Sequence, residues 1–376
     1  MTAAALPPSE LSDRLYILGH QVFFLLSGLC QTLGAQWLFY SGAATGSSYF
    51  TQVAQYFGMI WVGLLLPIMN SRKQVYTKLP TKSEDDSIEG HGMTIIATAD
   101  ITENGMEDDP EHKSKSSQEG PIHHKSIFKL AIVEVVANFT VSVGFYLVGS
   151  GMYQVIYSSV VIWCAILSYF TMGRTLTPTQ WVAIMGTSVG LAISAMGNTS
   201  QGDATSAPLL IFGMIVTLSG TFFYSCVYVF SDHILSQQVP GPSPIRVCSY
   251  VGAYCTVLSV IWIMVYTVPR FDELIHVHPD VSMQSVAGMY ALLILASATH
   301  AWNYYELIGR TGNVATGILQ GLRAILVFGL SHFWYCSSDS AQCFTVWKGW
   351  GSVMVVGCVL MFTLGGRGQK GGHSLN

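Results

Sequence analysis

Charge is what this chain has least of. Asp, Glu, Lys and Arg together make up 10% of its 376 residues, where soluble domains carry about 25%. So little polar surface cannot coat a water-soluble body of this size, and it also excludes a disordered chain, whose composition runs the other way. An excess of basic charge is missing too. The net charge is −4 and the isoelectric point is near 6.2, which argues against a general surface for nucleic acid. Short alternating segments of the kind that build outer-membrane barrels are absent. So are HExxH, a nucleophile elbow, a P-loop and paired intramembrane aspartates. No enzyme activity, cofactor or metal is expected, and the eight cysteines show no zinc-like spacing. Residues 1–14 do not read as a cleavable leader; the long apolar run after them would be its own signal anchor.

What the chain has in quantity is apolar. Hydrophobic residues make up 51% and the mean hydropathy is +0.44. Ten stretches reach the roughly 20 apolar residues that a helix needs to cross a bilayer core. They are Leu15–Trp37, Tyr49–Met69, Ile127–Val148, Met152–Thr171, Thr179–Met196, Pro208–Phe230, Arg246–Val268, Gln284–Leu307, Asn313–Phe333 and Val346–Leu364. With both termini cytoplasmic, 14 of the 17 Lys and Arg residues fall on the cytoplasmic side; Arg270 and Lys348 fall opposite and Arg323 lies inside the ninth span. Adding or losing one span would scramble this asymmetry, so the positive-inside rule supports ten. The expected fold is an all-α polytopic membrane protein.

Ten spans divide into two sets of five, and an odd number per set inverts the second relative to the first. Residues 15–196 would form the first repeat and 208–364 the second, flanked by a cytoplasmic N-terminus (1–14) and a cytoplasmic tail (365–376). Residues 71–126 interrupt the first repeat. They hold 11 of the 21 acidic residues and have the composition of a disordered cytoplasmic insert, either a solvated loop or a phosphorylated one at Ser83 and Ser114–Ser117. Short connections elsewhere imply compact antiparallel neighbours. Gly149, Gly151, Gly186 and Gly190 in the fourth and fifth spans, and Gly349, Gly351 and Gly357 around the tenth, would let helix backbones approach closely.

Two ionisable groups, Glu134 and Arg323, sit well inside spans, where charge costs roughly 2.5–3.5 kcal/mol on insertion scales. They read either as parts of a wet cavity or as an interhelical ion pair, with snorkelling as a further option for Glu134. Asn138 shares a helical face with Glu134, and Gln320 with Arg323. Gln31, Gln36, Gln52, Gln55, Gln154, Tyr157, His300 and Asn303 fall at similar depth. Each alone reads as an interhelical hydrogen bond or a ligand contact; together they suggest one polar cavity. The substrate-binding candidates are Gln31, Glu134, Asn138, Gln154, Tyr157, His300, Asn303, Gln320 and Arg323. His20 reads as structural, and Glu306 as a water-accessible group at the cytoplasmic end of its span. Cys336 and Cys343 bracket a lumenal loop and form either a disulfide or two free thiols. Asn198-Thr199-Ser200 is a glycosylation acceptor pattern on the lumenal side. His276 and His278 read as a lumenal pH sensor or as ordinary loop residues.

Four stretches are similar to a known family. They are GLCQTLGAQW in the first span, FTQVAQYFGM in the second, YQVIYSSVVIWCAILSYFTMGRTLTPTQW from the fourth, and ATGILQGLRAILVF in the ninth. The chain resembles the drug/metabolite transporter superfamily, and within it solute carrier family 35, subgroup F, over nearly all ten spans. The resemblance implies secondary transport by alternating access, usually by exchange, in a lysosome-like or Golgi-like membrane, with a small polar organic solute as the partner and protons as a candidate coupling ion. Substrates across the superfamily include nucleotide sugars, thiamine-like cations, amino acids, peptides and drugs. This chain has Tyr157 where the family pattern carries Arg and Asn138 where relatives often carry Asp. One buried cation is few for a nucleotide diphosphate. The rival readings are a channel, an intramembrane enzyme, and a receptor or scaffold acting through the insert.

Overall fold

Helices form here because a polar backbone has no other way to satisfy its N–H and C=O groups in hydrocarbon. A computed structural model describes residues 8–65, 119–157, 159–173, 176–196, 207–236, 240–337 and 343–371. Residues 71–118 of the expected insert, Arg174 and Asn198 lie outside the described residues. Among those described, the helices are α1 (Pro8–Tyr40), α2 (Phe50–Val62), α3 (His124–Tyr157), α4 (Val160–Met172), α5 (Pro178–Met196), α6 (Ala207–Ser236), α7 (Pro244–Trp262), α8 (Met283–Thr311), α9 (Asn313–Tyr335) and α10 (Val346–Gly371). The chain is an all-α membrane protein: six of these, α1, α3, α6, α7, α8 and α9, are long and apolar enough to cross a bilayer. Their outer faces carry the matching signature. Leu15, Leu18, Val22 and Leu26 recur at helical spacing on α1 and are exposed, as are Ile211, Ile215 and Leu218 on α6. Apolar surface of that extent belongs in lipid.

Several expected boundaries move. α1 begins at Pro8, so the tail expected to end at residue 14 is partly helical, and α10 runs to Gly371, into the expected C-terminal tail. The end of the insert is docked: Glu119 pairs with Arg246 at 3.1 Å, and the Gly120 N–H donates to the Gly241 carbonyl at 3.0 Å. The fourth span is not one helix. Gly149, at φ 74° and ψ 168°, breaks α3 after its long membrane segment, and a second interruption falls between Tyr157 and Val160. There the Ser225 hydroxyl of α6 donates to the Val160 carbonyl at 3.1 Å, supplying a bond from a neighbouring helix.

At the far end of α1, residues 41–49 form a buried loop rather than a solvated one. The His276 N–H donates to the Gly42 carbonyl at 3.0 Å and the His278 N–H to the Ser41 carbonyl at 3.1 Å. Only glycine fits position 42: φ is +72°, and a Cβ would stand 1.9 Å from the His276 carbonyl oxygen. The two histidines thus contribute backbone to a loop-to-loop clasp. Past α7 the chain widens into a π-turn, Ile263–Thr267, ahead of Pro269, which has no N–H to donate. Trp262 Nε1 donates to the Ser47 carbonyl at 3.1 Å and the Thr267 hydroxyl to the Ser48 carbonyl at 2.9 Å.

The helices pack in a definite set of pairs: α3 against α6, α5 against α10, α1 and α2 against α8, α2 and α3 against α7, α4 against α6 and α9, and α1 against α9. Close approach needs glycine at the tightest crossings. A Cβ at Gly58 would stand 2.4 Å from the Ile294 carbonyl oxygen. At the α5–α10 contact, one at Gly186 would stand 2.4 Å from Cys358 Sγ, and one at Gly190 3.0 Å from the Gly351 carbonyl; Gly357 has open space instead. One apolar cluster lies among α2, α3, α6, α7 and α8. A second lies among α4, α5, α6, α8, α9 and α10.

Cys336 and Cys343 are disulfide-bonded, with Cα atoms 4.5 Å apart. Loop-closure entropy for so short a loop is worth about 2–3 kcal/mol. The Cys336→Ser/Cys343→Ser variant is expected to unfold more easily by about that much in denaturant titrations, and the native pair is expected to resist maleimide until reduced. Gly58→Ala, which forces two backbones apart, should cost about 1–3 kcal/mol, whereas Gly288→Ala, with nothing within 4 Å, should melt like the native chain.

Candidate functional site

Between the two apolar clusters lies a buried cavity of about 130 Å³. Its walls come from α1, α2, both segments of α3, α6, α8 and α9, so helices from each end of the chain share it. Seven of the nine sequence candidates line it: Gln31, Glu134, Asn138, Tyr157, His300, Gln320 and Arg323. Gln154 lies on the second segment of α3, with its side chain outside the described residues. Asn303 is not part of the lining. Its Oδ1 faces His20 Nδ1 at 2.5 Å and its Nδ2 donates to the Thr299 carbonyl at 2.6 Å, so it fastens α8 to α1. His20 is structural, as its position near the membrane surface implied.

The two charges are held separately. Glu134 Oε1 accepts from Asn138 Nδ2 at 3.0 Å. Asn138 Oδ1 in turn accepts from the Tyr224 hydroxyl. Arg323 Nη1 donates to Gln320 Oε1 at 3.3 Å, and Nη2 donates to the Thr32 hydroxyl. Gln320 Nε2 donates to the Tyr228 hydroxyl at 2.7 Å. Tyr224 and Tyr228 stand one turn apart on one face of α6. Each anchors an amide, and each amide holds one charge. The reading of Glu134 and Arg323 as an interhelical ion pair is corrected: Glu134 is hydrogen-bonded to Asn138, and Arg323 to Gln320 and Thr32. Each charge is instead bonded to a neutral amide on its own helix.

Two further positions define the site. The Arg323 guanidinium lies against Gly28, where a Cβ would come within 2.9 Å of Nε; that Nε is buried and has no hydrogen-bond partner among the described residues. His300 Nδ1 lies 2.9 Å from the Phe24 carbonyl, which assigns the proton to Nδ1 and leaves Nε2 as an acceptor. The ring of His300 stacks on Phe24 at 4.3 Å. Sequence reasoning missed the tyrosines. Tyr56, Tyr153, Tyr224, Tyr228, Tyr304 and Tyr305 join Tyr157 in the lining. The four-residue spacing of Tyr224 and Tyr228 was the available signal. It also missed Asp232, buried at the end of α6, whose carboxylate accepts the Asn313 N–H at 3.1 Å at the start of α9, where the helix dipole favours an anion. Glu306 is corrected as well: it is 1% exposed and pairs with Arg310 at 3.3 Å, so it is closed off from water rather than open to it.

Outside the cavity, His332, Cys336 and Cys343 bring ligand-type atoms within 4.8 Å of one another. The two sulfurs are spent on the disulfide, and His332 Nδ1 accepts the Phe344 N–H at 3.1 Å. The group acts as a clasp on the loop.

The Glu134–Asn138 unit makes a stability forecast. Asn138→Leu strands a buried carboxylate oxygen and the Tyr224 hydroxyl, and should destabilise by about 2 kcal/mol or more. Adding Glu134→Leu removes the stranded carboxylate and should recover at least about 1 kcal/mol. Thermal melts of the two single variants and the double would read the coupling; strictly additive losses would refute it.

No family model matches the chain. Among curated proteins, an uncharacterized protein of Schizosaccharomyces pombe is 27% identical over 135 residues, covering 36% of this chain and 40% of that protein. The chain thus spans about two fifths of the length of the curated relative it matches. Among solved structures, one crystal structure of a protein superposes with a TM-score of 0.58 over 94% of this chain and 98% of its own, at 14% identity. At that identity the likeness is one of fold.

Proposed function

We propose that the chain is a secondary active transporter of the drug/metabolite transporter type, moving a small polar organic solute across an endomembrane by alternating access. The observation that carries this reading is the buried polar cavity, which helices from both ends of the chain build in common. In an inert scaffold that volume would be filled with apolar side chains, as the flanking clusters are. Burying a carboxylate and a guanidinium there costs stability, and binding a solute is a function that offsets it.

In this reading α1–α10 are ten spans, both termini are cytoplasmic, and 15–196 and 208–364 are inverted repeats. The helix pairing supports it. Exchange each helix for the one five places along, and α1 against α8 becomes α6 against α3. In the same way α2 against α8 becomes α7 against α3, and α1 against α9 becomes α6 against α4. The pairs α2–α7, α4–α9 and α5–α10 map onto themselves. All of these contacts occur. The α3–α9 and α7–α8 contacts have no counterpart of this kind, so the support comes from the pairs named above. The break at Gly149, next to Ser150 and Gly151, supplies a hinge in the first repeat.

Glu134 is the coupling residue in this scheme, exchanging a proton or a cationic substrate group as the halves rock. Purified protein in proteoliposomes tests it with a solute panel and imposed pH gradients. Glu134→Gln should retain exchange but lose gradient-driven accumulation by about tenfold or more, the scale of one protonation-dependent interaction. Normal accumulation by that variant would remove the coupling role. Absence of flux for every solute would favour a receptor or scaffold working through residues 71–126, and flux of nucleotide sugars would identify a nucleotide-sugar antiporter.

A further inference from the structure

Glu134 and Arg323 face one cavity, yet each is fixed by neutral partners on its own wall. Opposite charges in a low-dielectric interior attract strongly, and they collapse into contact unless something holds them apart. The two amide–tyrosine relays on α6 do so here. With Glu134 ionised, the cavity has a negative wall, a positive wall and a formal charge of zero. His300, the remaining non-tyrosine titratable group in the lining, is already engaged through Nδ1 with the Phe24 carbonyl.

We infer that the solute is a zwitterion: a small molecule with a fixed cationic group for Glu134, a fixed anionic group for Arg323, and a flat unsaturated body between them. The inference rests on the transport reading and names the substrate class of that same site. A cation alone would leave the guanidinium uncompensated, and an anion alone would leave the carboxylate so. Arg323 Nε, buried without a partner, is a donor waiting for an acceptor. A carboxylate-like group arriving there would receive a charge-assisted bond. The body of the solute is specified by ring faces. Tyr153 and Tyr157 stack with centroids 5.3 Å apart, and Tyr224 meets Tyr157 edge-on at 5.3 Å. Tyr304 meets Tyr228 edge-on at 4.9 Å. Such walls favour planar surfaces, and their electron-rich faces favour the cationic end. Gly28 completes the specificity. Its missing side chain is the space the guanidinium occupies, so Gly28→Ala would push Arg323 off its seat.

Matched probes read the charge class directly. 4-(Aminomethyl)benzoate carries both charges, 4-methylbenzylamine the positive one, and 4-methylbenzoate the negative one, all on the same ring. 4-Methylphenylglycine offers both charges at closer spacing. Calorimetric titration of the purified full-length protein at neutral pH is expected to show at least one zwitterion binding tenfold or more tightly than either singly charged analogue. Glu134→Gln should shift the preference toward 4-methylbenzoate, and Gly28→Ala should shift it toward 4-methylbenzylamine. If neither zwitterion binds more tightly than its singly charged analogues, the inference fails, whatever the variants do. Equilibrium binding does not depend on flux. A zwitterion that binds but never crosses proteoliposomes would refute transport and leave the charge class standing. A singly charged solute exchanged in preference to zwitterions would refute the charge class and leave transport standing.

Discussion

Two opposite charges buried in one cavity, and kept from meeting, are the constraint around which the rest of this molecule is organised. The device is simple in outline. Tyr224 and Tyr228 stand one turn apart on α6; one fixes Asn138 and through it Glu134, and the other fixes Gln320 and through it Arg323. α6 therefore acts as a rack. It reaches α3 on one side and α9 on the other, and the relays depend on both contacts staying in register. The Ser225–Val160 bond, on the next residue of the same helix, adds the broken fourth span to the assembly.

Much of this architecture follows from what lipid demands. Polar side chains within the helices are mostly satisfied locally: Thr217, Ser219 and Thr221 each donate to the carbonyl four residues back along α6. Such self-satisfied residues need no partner helix. The groups that reach across helices stand out against that background; the cavity and the clasp at residues 41–49 are two places where several of them meet. The clasp and the cavity are built differently. The clasp ties the α1–α2 loop to the segment before α8 through backbone bonds and to the end of α7 and its π-turn through donation from the Trp262 and Thr267 side chains to backbone carbonyls. The other joins helices through side chains, which can exchange partners when helices shift.

Legibility from sequence tracked this division. Glu134 and Arg323 were visible as rare charges in apolar runs, and their neighbours Asn138 and Gln320 were visible by helical spacing. The helices were visible for the same reason that lipid requires them, since apolar runs of sufficient length leave little choice. Asn303 misled because depth alone cannot tell which way a side chain points; its face of α8 turns to His20 and away from the cavity. Glu306 misled because a neighbouring helical turn, carrying Arg310, covers it. The tyrosines were illegible as a group because aromatic residues in membrane helices are common, and their convergence is a property of packing among three or four helices. The break between Tyr157 and Val160 had no composition to announce it, because the bond that supports it comes from another helix.

The central claim is that water and solute reach the cavity from each face of the membrane in turn. Side-specific labelling tests it most directly. In a background with the reactive free cysteines replaced, Ala35→Cys places a thiol on the cavity wall, and a membrane-impermeant thiosulfonate is added to one face of sealed vesicles at a time. The account predicts labelling from both faces, with the ratio shifted by a bound solute. Labelling from a single face under every condition, or from neither, would contradict it.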